Sequence, residues 1–165
     1  MDVKSQLYGK LSGRPAIDRT VSHMRKVVEG CRKDPFIIQV ARQVMTSYGV
    51  PRDDSEAEVA AIYDFLNRHV RYTKDPVDVE LLQDPYVTLS MKTGDCDDIS
   101  ILGACLAEAI GLQARFSLFS TPGSRIPSHI YAEIKTRSGW IAVDTVLNRG
   151  VGKLPPGNNE VGAIL

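Results

Sequence analysis

The spacing of apolar residues changes once along this 165-residue chain, and that change limits the folds open to it. Up to Gly111 the apolar residues recur mostly at three- and four-residue steps, which is typical of helices that bury one face. After Gly111 they alternate with their neighbours, which is typical of β-strands. Helices followed by an antiparallel sheet predict an α+β fold.

Three helices are predicted in the N-terminal part of the chain. The first begins at Pro15. Asp34 and Pro35 suit the N-cap and the first position of the second helix. Ser55, with Glu58 three residues later, matches a capping box at the start of the third.

Three strands are predicted after the helices, over residues 114–119, 129–135 and 140–146. The last two are separated by a short turn around Arg137-Ser138-Gly139, so they are expected to pair as a hairpin. The strands therefore predict a small antiparallel sheet.

Other stretches lack a helix or strand pattern. Residues 74–93 contain two Asp-Pro pairs, and a residue before proline disfavours the helical conformation, so this stretch is predicted to be a loop. The first 14 residues are expected to form an arm or loop, and residues 148–165 an irregular tail. We expect a single domain over residues 1–165, with the N-terminal helices in 15–50.

Charge and hydropathy exclude several classes of protein. Twenty basic and twenty acidic residues give a formal net charge of zero, which does not favour nucleic-acid binding. No apolar stretch reaches the ~20 residues that a membrane-spanning helix needs, and the first residues lack a secretory signal. We therefore predict a cytoplasmic protein that binds neither nucleic acid nor membranes.

Three cysteines, Cys31, Cys96 and Cys105, cannot all pair within one molecule. Their spacing suggests neither a zinc knuckle nor a disulfide framework, and an odd count fits a reducing compartment. Cys31 falls on the apolar stripe of the first helix. Cys105 lies in a fourth helix, which is predicted to begin after Gly94 and to end at Gly111, so both cysteines are predicted to be structural core residues.

Cys96 is the candidate nucleophile, because it opens a predicted fourth helix where unpaired N–H groups favour a thiolate. Asp95, Asp97 and Asp98 surround it and oppose that ionisation, so a reactive thiol needs a nearby cation. These acids suit the first turn of a helix, and a cluster of oxygen ligands for a divalent metal is the alternative. We expect no metal and no cofactor.

His129 is the best candidate for that cation, since it begins a strand after a flexible loop. His23 lies on the polar side of the first helix, and His69 suits the C-terminal end of the third.

Asp144 is the candidate partner of His129. If Lys135 pairs with Trp140, Tyr131 lies opposite Asp144, and His129 is its diagonal neighbour on the same face. A three-residue loop between the strands would place them on opposite faces instead. An ordinary strand-end aspartate is the alternative interpretation.

Four motifs in this order resemble the transglutaminase-like cysteine-peptidase superfamily: Gly94-Asp95-Cys96-Asp97-Asp98, Gly111-Leu112-Gln113-Ala114-Arg115, Ser128-His129-Ile130-Tyr131-Ala132-Glu133 and Gly139-Trp140-Ile141-Ala142-Val143-Asp144. The resemblance covers residues 55–146. It implies a papain-like α+β core with Cys96 as nucleophile, His129 as general base and acid, and Asp144 as the orienting residue.

The resemblance also implies an activity on a peptide or protein amide through a thioester acyl-enzyme. The compact motif is similar to bacterial and tailed-phage members, whereas the large animal crosslinking enzymes carry a Trp where this chain has Asp97. Hydrolysis is therefore expected rather than crosslinking. The alternative is a structural or assembly protein, of a phage particle for example, that keeps the fold without the chemistry. The sequence does not indicate an oligomeric state.

Overall fold

Five helices lie in the described part of the chain, which in this computed structural model comprises residues 6–8, 13–75 and 80–164. Asp34 caps the second helix as predicted, its carboxylate accepting the N–H groups of Phe36 and Ile37 at 2.9 and 3.2 Å. The helices are α1 (Arg14–Cys31), α2 (Pro35–Ser47), α3 (Ser55–His69), α4 (Pro85–Met91) and α5 (Cys96–Ala109).

Helix α3 begins differently from the prediction. Its N-cap is Asp54, whose carboxylate accepts the N–H of Ala57 at 3.0 Å. Ser55 is already inside the helix, where its hydroxyl donates to Glu56 and accepts the N–H of Arg137. The predicted capping box is therefore wrong by one residue, because Asp and Ser are both good N-caps and stand next to each other here.

The prediction of a loop over residues 74–93 is also wrong for most of its described part. Helix α4 lies within it, with Asp84 as N-cap accepting the N–H of Tyr86 at 2.9 Å and Pro85 at the first position. An Asp-Pro pair therefore starts a helix here, as it does in α2. Residues 76–79 of this stretch lie outside the described residues.

Eight strands occur in the described residues: β1 (Gln6–Tyr8), β2 (Arg71–Tyr72), β3 (Glu80–Leu82), β4 (Thr93–Gly94), β5 (Ala114–Ser120), β6 (His129–Thr136), β7 (Gly139–Val143) and β8 (Asn158–Ile164). The main sheet has the order β7-β6-β5-β8 and is antiparallel throughout. β1 pairs with β3, so residues 6–8 are not the predicted loop, and residues 1–5 and 9–12 lie outside the described residues. β2 pairs in parallel with β4. Lys135 pairs with Trp140, which confirms the predicted register of the β6–β7 hairpin.

The tail is not irregular throughout, since β8 pairs with the free edge of β5. Gly157 permits this approach, because a Cβ there would lie 2.4 Å from the Phe119 ring and 2.7 Å from the carbonyl oxygen of Ser120. The Pro- and Gly-rich run that predicts a loop ends where the strand starts. The prediction for residues 148–165 is therefore wrong at Asn158–Ile164.

Helix α5 is the centre of the core, with side chains such as Ile101, Leu102 and Leu106 fully buried. Helices α1, α2 and α3 and the sheet all pack against it. Cys31, the last residue of α1, forms a disulfide with Cys105 of α5, with a Cα–Cα distance of 5.3 Å.

The two cysteines are buried, as predicted, but the absence of a disulfide was wrongly expected. The packing of α1 on α5 brings the two cysteines together, and their spacing along the sequence does not predict this contact. The disulfide removes the argument for a reducing compartment that rested on the cysteine count. Location in the cytoplasm stays a prediction. Among the described helices, none combines the length and hydropathy needed to cross a membrane.

Candidate active site

A capping box at the start of α5 positions Cys96. The Asp95 carboxylate accepts the N–H groups of Asp97 and Asp98 at 3.0 and 3.3 Å, while the Asp98 carboxylate accepts the N–H of Asp95 at 3.1 Å. The second oxygen of Asp98 accepts the N–H of Gln83 at 2.8 Å. The acidic run that surrounds Cys96 thus begins the helix.

This cap leaves one first-turn donor unused. The N–H of Ile99 bonds to the Asp95 carbonyl, and the Asp95 side chain takes those of Asp97 and Asp98. The N–H of Cys96 has no hydrogen-bond partner among the described residues. A backbone donor therefore stands beside the Cys96 thiol.

The acidic groups of the cap are protonated more easily than ordinary carboxyls. Burial, followed by the charge of Asp98, raises the pKa of Asp95 to about 7. Burial likewise raises the pKa of Asp98 to about 6, and this residue is fully buried. Near neutral pH the first turn of α5 therefore carries less negative charge than its sequence suggests.

These raised pKa values predict that the free energy of unfolding falls as pH rises from about 4 to about 7. In this interval the folded protein keeps protons at Asp95 and Asp98 that the unfolded chain, with ordinary aspartate values near 3.8, has released. Urea unfolding at pH 5 and pH 8 measures the difference. Asp95→Asn keeps an N-cap oxygen and is expected to flatten the pH dependence.

Asp18→Asn, an exposed substitution on α1, is the matched control and is expected to leave the pH dependence of unfolding unchanged. Equal slopes in the wild type and Asp95→Asn would show that the Asp95 carboxyl does not carry the effect.

The Cys96 thiol is partly buried and donates a hydrogen bond to Asp97 Oδ1 at 3.2 Å. Burial, then the charges of Asp97 and Asp95, raises the pKa of the Cys96 thiol well above its ordinary value, although a backbone hydrogen bond with Ile130 opposes the shift. The resting group is therefore a thiol. The hydrogen-bond partner of the sulfur in this resting geometry is the carboxylate of Asp97, and the role of His129 as the nearby cation stays a prediction.

His129 and Asp144 form a direct pair, with His129 Nε2 2.8 Å from Asp144 Oδ2. Asp144 is buried and His129 is largely so, with 3% and 10% of their side-chain surface exposed. The other oxygen of Asp144 accepts the N–H groups of Val146 and Leu147 at 3.1 and 3.3 Å. Asp144 is thus held by the turn that it begins, and it lies just after β7, not within a strand reaching residue 146 as predicted.

The His129 ring is also held by its neighbours. Phe119 meets it edge-on, and Tyr131 lies nearly parallel to it, with ring centroids 6.4 and 6.3 Å away. Since Nε2 faces Asp144, Nδ1 is the nitrogen left to exchange a proton, and it has no partner among the described residues.

Helix α5 is fastened to β6 beside His129. Ser100 Oγ lies 2.6 Å from the carbonyl oxygen of Cys96 and 3.3 Å from that of Ile130, the residue after His129. The structure thus brings His129 and Asp144 into contact, and Ser100 links the start of α5 to Ile130, the residue after His129. It places no hydrogen bond between Cys96 and His129.

A metal site among these acids is not favoured. Ligand atoms of Asp95, Cys96 and Asp97 lie within 4.8 Å of one another. However, Asp95 already accepts two backbone N–H groups, and both oxygens of Asp98 accept one each. The oxygens of these carboxylates are therefore already occupied as hydrogen-bond acceptors in the helix cap.

Comparison with known proteins gives one family match. The sequence profile of the transglutaminase-like superfamily matches residues 39–145, beginning inside α2 and thus earlier than the predicted residue 55. No curated protein is detectably similar in sequence.

Two solved structures share the fold. One, from Cytophaga hutchinsonii and provisionally described as a cysteine protease, is 20% identical with a TM-score of 0.50, over 77% of this chain and 49% of that one. The other, from Parabacteroides distasonis and provisionally described as a protease, is 11% identical with a TM-score of 0.58, over 78% and 26%. The chain thus spans about half and about a quarter of these structures. The likeness confirms the predicted α+β, papain-like fold class.

Proposed function

The chain belongs to the transglutaminase-like superfamily, and on that premise we propose that it is a cysteine-dependent hydrolase or acyltransferase acting on a peptide or protein amide. The observation that carries the proposal is the largely buried His129–Asp144 pair, whose carboxylate is fixed by two backbone N–H groups. An ordinary strand-end aspartate would not be expected to hold an imidazole in this way.

The proposed reaction has two halves. The Cys96 thiol gives its proton to His129 Nδ1, and the sulfur attacks the carbonyl carbon of the amide. The C–N bond then breaks, the amine leaves with the proton from His129, and a thioester remains. Water, deprotonated by His129, attacks the thioester carbonyl, so that the acid leaves and the thiol is restored.

The surrounding groups support this division of roles. Asp144 holds the His129 ring and stabilises the imidazolium that forms when it takes the proton. The unpaired N–H of Cys96 is available to the oxyanion of the tetrahedral intermediate. The thiol has to exchange its hydrogen bond with Asp97 for one with His129 before it can give up its proton.

Hydrolysis is proposed over crosslinking because Asp97 follows the nucleophile directly. The large animal crosslinking enzymes carry a Trp at this place, and the buried carboxylate of Asp97 does not form an apolar entrance for an amine acceptor. The expected result is that the free acid is released. A primary amine such as glycine methyl ester should not be incorporated into the product.

Cys96→Ala is expected to abolish turnover while leaving the fold intact, because it removes the nucleophile and only one partly exposed sulfur. The probes are p-nitrophenyl acetate, which should leave one acetyl group on Cys96, and fluorescently labelled casein. Mass spectrometry of tryptic peptides locates the acetyl group. Cys31 and Cys105 are the internal control, since the disulfide protects both. Acetylation that persists in Cys96→Ala would contradict the assignment.

A second candidate is a structural or assembly protein that keeps the fold without turnover. The thiol bonded to Asp97, with its raised pKa, favours this candidate because such a sulfur is a poor nucleophile at rest. It predicts no acetylation of Cys96 by p-nitrophenyl acetate and a stoichiometric protein complex that Cys96→Ala leaves intact.

A further inference from the structure

We propose that Asn159 is a positioning residue, which fixes the Tyr131 side chain and through it the imidazole of His129. The inference rests on the proposed function, since it concerns the general base of that reaction. Asn159 lies in β8, beyond the residues 39–145 that the superfamily profile matches. A segment that follows the family core therefore takes part in holding the site.

The register of the main sheet places Asn159 in the same row as His129. Asn159 of β8 pairs with Phe119 of β5, and Phe119 pairs with His129 of β6. Side chains directly opposite each other on paired strands share a face, as do residues two positions apart on one strand. The side chains of this row, and that of Tyr131, therefore lie on one face of the sheet.

A small apolar cluster supports the imidazole on this face. It is separate from the core around α5 and consists of Phe119, Tyr131 and Ala142, all buried. The rings of Phe119 and Tyr131 lie beside His129, with centroids 6.4 and 6.3 Å from that of the imidazole. One hydrogen bond to Asp144 leaves the imidazole free to tilt about that bond, and the two neighbouring rings restrict the tilt.

The Asn159 side chain joins Tyr131 to the turn that precedes β8. Its Oδ1 accepts the hydroxyl of Tyr131 at 3.0 Å, and its Nδ2 donates to the carbonyl oxygens of Pro155 and Gly157, both at 3.1 Å. Asn159 is exposed, so these bonds are not a requirement of burying a polar residue. Three hydrogen bonds from one exposed side chain thus tie Tyr131 to the backbone of residues 155–157.

Tyr131 keeps the proton that this contact needs. The residue is fully buried, and burial, followed by the charge of Glu133, raises the pKa of Tyr131 to about 12. The hydroxyl therefore donates to Asn159 throughout the neutral range. A buried donor that loses its acceptor costs free energy, so the Tyr131 ring is expected to shift when an apolar residue replaces Asn159. The imidazole beside it then loses its fixed orientation.

The test measures kcat and KM for p-nitrophenyl acetate in Asn159→Leu, in Tyr131→Phe and in the double variant. Each single variant is expected to lower kcat about 10-fold and to leave KM unchanged, because each removes the same hydrogen bond and displaces the general base. The double variant is expected to be no slower than either single variant, since the effects of two partners in one bond are not additive.

NMR of the imidazole nitrogens (¹⁵N) gives a readout that a purely structural role would not change. In the wild type, His129 is expected to carry its proton on Nε2, where it meets Asp144. In Asn159→Leu and Tyr131→Phe the ring is expected to show a mixture of its two tautomers.

Two matched controls are expected to leave kcat and the NMR spectrum of His129 unchanged. Tyr86→Phe also removes a hydroxyl that donates to a side chain, that of Asp34, but this bond joins α4 to α2. Asn67→Leu makes the same replacement as the β8 variant at an exposed position on α3.

Other outcomes overturn the assignment. A wild-type kcat in Tyr131→Phe would show that the hydroxyl does not fix the ring. Slowing in the double variant equal to the product of the single effects would show that Asn159 and Tyr131 act separately. A lower free energy of unfolding in Asn159→Leu, with the kcat and tautomer of the wild type, would make it a residue that only holds β8. If the wild type is never acetylated, the proposed function fails, and the tautomer of His129 in the variants still decides whether Asn159 fixes the ring.

Discussion

Asp144→Asn is expected to lower the rate of turnover at Cys96 by on the order of 10⁴-fold while the fold persists. One oxygen of Asp144 accepts the N–H groups of Val146 and Leu147, so the amide oxygen of the variant has to take that place. The amide N–H₂ then faces His129 Nε2 and donates to it. Nε2 becomes the acceptor, the imidazole proton moves to Nδ1, and Nδ1 can no longer take the proton of the thiol.

Two measurements separate this tautomer effect from simple loss of structure. The kcat for p-nitrophenyl acetate reports turnover, and ¹⁵N NMR of the imidazole reports which ring nitrogen of His129 carries the proton. Asp18→Asn, exposed on α1, is the matched control and is expected to leave both unchanged. A variant with unaltered kcat would show that Asp144 is only a strand-end turn residue.

The parts of the site that depend on local rules could be predicted from the sequence. The two-residue connection between β6 and β7, Arg137-Ser138, sets their register, and the register places His129 and Asp144 on one face. Asp95 and Asp98 are capping residues at a spacing that begins a helix, and this puts Cys96 at its first turn. Both inferences need only neighbours in the chain.

The features that could not be predicted depend on contacts between distant segments. β8 forms because Gly157 lets the chain approach Phe119, a contact across 38 residues that no local pattern records. Strand β2 has only two residues, too few to show a period, so its pairing with β4 emerges only in the fold.

The start of α4 could have been predicted from the sequence. Asp84-Pro85 carries the same N-cap and first-position pattern as Asp34-Pro35, and the two pairs begin α4 and α2 alike. The proline restricts the residue before it, but this restriction suits an N-cap, which is extended in any case. An Asp-Pro pair thus marks a helix start when apolar residues follow it.

Reduction of the Cys31–Cys105 disulfide is expected to lower the free energy of unfolding by about 2–4 kcal/mol. The two cysteines are 74 residues apart, so their bond removes much of the conformational freedom of the unfolded chain. The bond also holds the end of α1 against the central helix α5. Urea unfolding with and without dithiothreitol measures the change, which corresponds to a drop in melting temperature of roughly 4–16 °C.

Cys96→Ser is the matched control, because it removes the third cysteine while leaving the disulfide, and it should show the same sensitivity to dithiothreitol as the wild type. Thiol titration of the unfolded, unreduced wild type should then find one reactive group, that of Cys96. Three reactive groups would contradict the pairing. The disulfide and the capping box contact α5 about two turns apart. Reduction could therefore lower the stability while Cys96 is still fully acetylated. That result would show that the disulfide supports the fold and that the capping box alone positions the nucleophile.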